Sequence, residues 1–113
     1  MAVTSNRQIT TTLTGDITYT QVFSAAANSS SPGENELVTL ASGANTITPH
    51  TGAKACTIIF PAGNVVLVTL KGVTGDTGIV LHPTDPTSFA INSAASTFCL
   101  TAASGVTVRL IWT

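Results

Sequence analysis

Val106-Thr107-Val108-Arg109-Leu110-Ile111-Trp112 decides the fold class of this chain. Its first five residues alternate apolar and polar, the period of a β-strand that sets one face against a core and the other toward solvent. Ile17-Thr18-Tyr19-Thr20 carries the same alternation near the other end. Between them, Thr57-Ile58-Ile59-Phe60 and Val65-Val66-Leu67-Val68 are almost unbroken apolar runs. Such runs predict strands covered on both faces, either inside a sandwich or by a neighbouring subunit.

Working outward, Thr makes up roughly a fifth of the residues and Val, Ile and Leu are frequent, a composition suited to the pleated sheet. No segment sustains a helical three-to-four spacing without Gly, Pro or a Thr run interrupting it. Turn-forming clusters bound ten candidate strands, at 8–14, 17–24, 37–41, 45–48, 55–60, 65–71, 78–82, 88–91, 97–101 and 106–112. Short strands at this even spacing predict an all-β fold, an antiparallel β-sandwich that is jelly-roll-like. At 113 residues the chain fits one domain, 1–113, with enough core to need neither metal nor disulfide. The Ala/Asn/Ser/Pro/Gly-rich stretch 25–35 reads as a loop or hinge. Residues 1–24 ahead of it are then either an amino-terminal arm, offered to the main sandwich or to another copy, or strands of the same sheet.

Only 8% of the residues are charged, against about a quarter in an ordinary soluble domain, while 43% are hydrophobic and the mean hydropathy is +0.41. A surface with so few charges has little to keep it apart from other protein, so the composition predicts a component of an assembly rather than a free enzyme. Four basic residues and a net charge of -1 leave no footprint for a phosphate backbone or an anionic membrane, and nucleic acid and membrane are not expected partners. The start, Met1-Ala2-Val3-Thr4-Ser5-Asn6-Arg7, lacks the apolar stretch of a secretory signal, and the chain is expected to fold where it is made. No apolar run reaches the roughly 20 residues of a spanning helix. Cys56 and Cys99, both in apolar strand-like segments, are expected to be buried free thiols.

Few motifs carry chemistry. Asp76-Thr77-Gly78 resembles the active-site triplet of retroviral-type aspartic proteases, dimers in which one Asp from each subunit shares a proton. Here Gly72-Val73-Thr74-Gly75 precedes the triplet where an apolar strand should stand, and the glycines suit consecutive tight turns instead. Lys71 stands before the first glycine, so the series is not a phosphate loop. His50, His82 and Asp85 lack the paired spacing of a metal motif, and neither metal nor other cofactor is expected. In His82-Pro83-Thr84-Asp85-Pro86 the prolines predict a turn. Trp112 reads as a core or interface anchor.

The stretch Val68-Thr69-Leu70-Lys71-Gly72-Val73-Thr74-Gly75-Asp76-Thr77-Gly78-Ile79-Val80-Leu81-His82-Pro83, with the closing strand quoted above, resembles small β-sandwich structural proteins of tailed bacteriophages. The resemblance implies a virion protein made in the host cytoplasm, without catalytic residues. In the head decoration, or cement, group it implies symmetric oligomers, with a trimer the first expectation, that tie major capsid subunits together. The expected function is therefore a non-enzymatic capsid decoration protein whose partners are the major capsid protein or other virion proteins. Val3, Gln8, Ile9, Thr11, Leu13 and Trp112 are the expected interface residues. The alternative is a tail or fibre module recognising host carbohydrate, with Tyr19 and Trp112 as its aromatic candidates, followed by a dimeric aspartic protease using Asp76.

Overall fold

The computed structural model describes residues 3–5, 8–13, 19–24, 28–30, 34–92 and 97–113. Four strands come first: β1 (Val3–Ser5), β2 (Gln8–Leu13), β3 (Tyr19–Ser24) and β4 (Asn28–Ser30). Among the described residues they pair only with one another, β1 with β4 and β2 with β3, both antiparallel, and neither ladder joins a larger sheet. The registers nest, Val3 opposite Ser30 and Gln8 opposite Ser24, so the two ladders follow one another along a single hairpin path.

Eight further strands follow: β5 (Glu34–Leu40), β6 (Gly43–Ile47), β7 (Ala55–Ile59), β8 (Val68–Lys71), β9 (Ile79–Val80), β10 (Thr87–Ala90), β11 (Phe98–Ala102) and β12 (Val106–Trp112). They form two antiparallel four-stranded sheets, in the orders β10-β7-β12-β5 and β6-β11-β8-β9. Within these eight, the first pairs with the last (β5 with β12), the second with the seventh (β6 with β11), the third with the sixth (β7 with β10) and the fourth with the fifth (β8 with β9). A long antiparallel ribbon rolled into two layers has this pairing, and β12 with β7 and β11 with β8 close the roll. The fold is thus an all-β sandwich of jelly-roll topology.

The core lies between the two sheets and follows from the strand period. In β12, Val106, Val108, Leu110 and Trp112 are buried while Thr107 between them is exposed and Arg109 and Ile111 half-buried. Leu40 and Ile58 on flanking strands and Val68, Leu100 and Ala102 on the facing sheet complete the centre. Each fully buried Leu or Ile contributes about 2 kcal/mol from its removal from water, so this cluster is what holds the layers together.

All ten expected strands are present, with two corrections. The first is the stretch 25–35, expected as a loop, in which Asn28–Ser30 and the first two residues of β5 are strand. Backbone pairing needs no apolar side chain, so Asn-Ser-Ser completes a ladder with β1 although its composition signals a turn. Strand is thus described on both sides of residue 24, the boundary expected for an arm. The second is the apolar run 65–68. Val65 is 85% exposed and Leu67 48% exposed, and the strand starts only at Val68. Buried Asn64 causes the delay, because its Nδ2 donates to the carbonyls of Val66 (2.9 Å) and Pro83 (2.8 Å) and its Oδ1 accepts from the Val66 N–H (3.1 Å), holding the chain in a side-chain-closed turn. This run is therefore not covered on both faces within the chain.

Candidate functional site

The outer face of the β10-β7-β12-β5 sheet combines apolar side chains with, among the described residues, the cation of Arg109. Register places Leu37 and Ile59 on either side of Arg109, one row across three strands. Leu37 is 63% exposed and Ile59 37%. Together with Phe60, Pro61 and Thr107 they line an open depression of about 280 Å³. Arg109 Nη1 donates to Asn35 Oδ1 at 2.6 Å, a neutral partner, so among the described residues its charge meets no carboxylate. Rows above and below are hydroxyl ladders: Thr39 and Thr107 share a hydrogen bond of 3.1 Å, and Thr57 Oγ1 donates to Ser88 Oγ at 3.0 Å. Such a face can bury apolar area against a flat protein partner and offers one charge to orient it.

A second group, which the sequence reading missed, sits at the margin of the core. Glu36 Oε1 accepts from both Trp112 Nε1 (3.1 Å) and His50 Nε2 (3.2 Å), and the His50 ring stacks on the indole at 5.4 Å between centroids. Strand pairing sets Cys56 opposite Trp112, and burial, reinforced by the Glu36 charge, pushes the Cys56 thiol up to about 12. A thiol held protonated in this way is a poor nucleophile and a poor metal ligand. Among the described residues no three His, Cys, Asp or Glu side chains form a group that could hold a metal ion. The cluster acts structurally: it satisfies a carboxylate that the strand period turns inward. That period was the available signal, since Glu36 shares a face with Val38 and Leu40.

The other residues singled out from sequence close turns. Asp76 Oδ2 accepts the Val73 N–H at 3.0 Å, and Asp76 donates its own N–H back to the Val73 carbonyl at 3.1 Å, in an exposed loop between β8 and β9. Gly78 follows with φ of 75°, and a Cβ there would meet the Leu70 carbonyl at 2.5 Å. His82 Nδ1 accepts the N–H groups of Thr84 (3.3 Å) and Asp85 (3.0 Å), fixing the turn that the prolines announce.

The expected interface residues fall in two places, five on the first two strands and Trp112 on the last. Val3 is in β1; Gln8, Ile9, Thr11 and Leu13 are in β2; among them Gln8 is exposed, and the side chains of Val3, Ile9, Thr11 and Leu13 lie outside the described residues. Trp112 is the core anchor of its two readings: it is 2% exposed, hydrogen-bonded and stacked, with no ring face free for a subunit or a sugar. Tyr19 is in β3, and its side chain is likewise outside the described residues. Cys56 and Cys99 are both buried free cysteines, as expected, and stand on different sheets. No helix among the described residues is long and apolar enough to cross a membrane. No protein-family model, curated protein or solved structure matches the chain.

Proposed function

We propose that this chain is a non-enzymatic structural component of a virion, a capsid decoration protein that works by adhesion to the shell. The observation that carries the reading is the amount of apolar surface left in solvent by a chain with so few charges. Leu37, Val65, Leu67, Val73, Ile79 and Val80 are all at least 48% exposed, on both sheets and their loops. Scattered exposed aliphatics are ordinary, but the row around Arg109 joins one of them, Leu37, and the partly exposed Ile59 to a hydroxyl-rich sheet. Jelly rolls recur in viral shells, which agrees with the reading at the level of fold alone. The partners proposed are the major capsid protein or another virion protein, together with further copies of the chain.

Binding would then stabilise the shell through repetition. One interface of ordinary size is modest, yet copies related by symmetry make detachment require several contacts to fail together. The test is to incubate the purified chain with particles that lack it and to locate bound copies by electron cryomicroscopy. Density at regular positions on the head, and release of genome at higher temperature than from bare particles, is the expected result. Failure to bind, or density on the tail alone, refutes the decoration role.

A further inference from the structure

We propose that the free edge of β5 joins the same edge of a second copy, antiparallel about a two-fold axis at Leu37, to make one continuous eight-stranded sheet. This deepens the assembly reading above and rests on it only for the claim that open surface is covered by protein.

The four edges of the two sheets are not alike. β9 is two residues long and begins after Gly78, β10 is four residues and begins after Pro86, and β6 opens on Gly43 with φ of 97° and is followed closely by Pro49. Short length, proline and irregular entry are the usual means by which edges are kept from pairing. β5 is entered directly after Pro32-Gly33, but it is the longest of the four edge strands. Its seven residues, Glu-Asn-Glu-Leu-Val-Thr-Leu, contain no Gly or Pro and pair along their whole length with β12 on one side. Among the described residues nothing pairs with the other side. A regular strand with one satisfied and one open edge is a template for an added strand, and that strand supplies about one backbone hydrogen bond per residue.

Self-complementarity identifies the occupant. On the solvent side β5 presents Asn35, Leu37 and Thr39, all exposed. In the register centred on Leu37, Leu37 meets Leu37 and Asn35 meets Thr39 of the second copy, twice over. Asn35 Oδ1 is occupied by Arg109, which leaves its Nδ2 able to donate to that threonine hydroxyl. On the core side Glu36 falls opposite Val38 and meets its own counterpart only diagonally, while its carboxylate is held by Trp112 and His50. Centring one residue earlier would set the two Glu36 side chains face to face, which disfavours that register. An isologous contact of this kind yields a pair, not the ring of three expected from sequence.

The experiment uses the full chain with residue 37 changed to Lys or to Glu. Leu37 is exposed, so both variants should keep the fold, checked by circular dichroism. Wild-type protein should sediment as a dimer at micromolar concentration, each variant as a monomer, and their equimolar mixture as a dimer, since residue 37 faces itself on the axis. Val80→Lys, on the far sheet, should remain dimeric. Register is read separately by oxidative cross-linking: Leu37→Cys should link to itself, and Asn35→Cys only when mixed with Thr39→Cys. A monomeric or trimeric wild type, variants that stay dimeric, a mixture that stays monomeric, or absence of the Leu37→Cys link overturns the proposal. Dimerisation without attachment to particles would instead leave the edge intact and refute the decoration role.

Discussion

The two faces of the β10-β7-β12-β5 sheet are built from similar residues and do opposite things. Inward, Val108, Leu110 and Ile58 are at most 1% exposed and meet the other sheet. Outward, Leu37 and Ile59 flank Arg109 with nothing packed on them among the described residues. Hydrophobic stabilisation is proportional to area removed from water, so the inner residues stabilise the folded monomer while the outer ones leave most of their potential gain unrealised. The difference teaches where a partner's contribution can enter, and it separates substitutions that should unfold the chain from those that should only alter association.

The largest effect should come from the inner face. Leu110→Ala removes a fully buried side chain and leaves a cavity, and should cost about 2–5 kcal/mol in denaturant unfolding, whereas Ile59→Ala on the outer face should cost far less. Equal losses would erase the contrast between the faces. Next, Trp112→Phe keeps an aromatic ring but removes the donor to Glu36, and should lower stability by about 2 kcal/mol in the same assay. Gly78→Ala should follow at about 1–3 kcal/mol, because the added Cβ collides with the Leu70 carbonyl at a backbone angle that favours glycine. Hydrogen exchange should show that loss concentrated at β8 and β9.

The inner face also responds to alkali. Cys56 stays protonated in the fold to about 12 against an ordinary value of 9.0, so its contribution is complete below pH 9. Above that the unfolded thiol ionises and the folded one does not, and stability falls as pH rises toward 12. Melting temperatures recorded across this range should decline for the wild type and less for Cys56→Ala. The smallest change belongs to the outer face: Thr107→Ala forfeits an exposed hydroxyl pair with Thr39 and should move unfolding by no more than about 0.5 kcal/mol.

Strand content was legible because alternation and turn residues are local. The β12 alternation translated directly into burial, and Asp76 and the His82-Pro83 turn behaved as their local chemistry requires. Misread places are those where a distant or backbone partner overrode composition. Asn28–Ser30 forms a strand because β1 is beside it, and Val65 is exposed because Asn64 is tied to Pro83, 19 residues along the chain. In the Glu36, His50 and Trp112 group the period of β5 marks Glu36 as inward-facing, but its partners were not legible, since 76 residues separate the carboxylate from the indole that donates to it.

By itself the sequence determined the β-class, the positions of most strands, the reduced buried thiols and the scarcity of charge, all consequences of local periodicity and composition. Only the tertiary structure decided which strands pair, that among the described residues the roll leaves β5 as a long open edge, that Trp112 is spent inside the core, and that Leu37, Ile59 and Arg109 share one row. Those outcomes depend on residues far apart in the chain being brought side by side, and pairing energy between strands carries no mark in either strand alone.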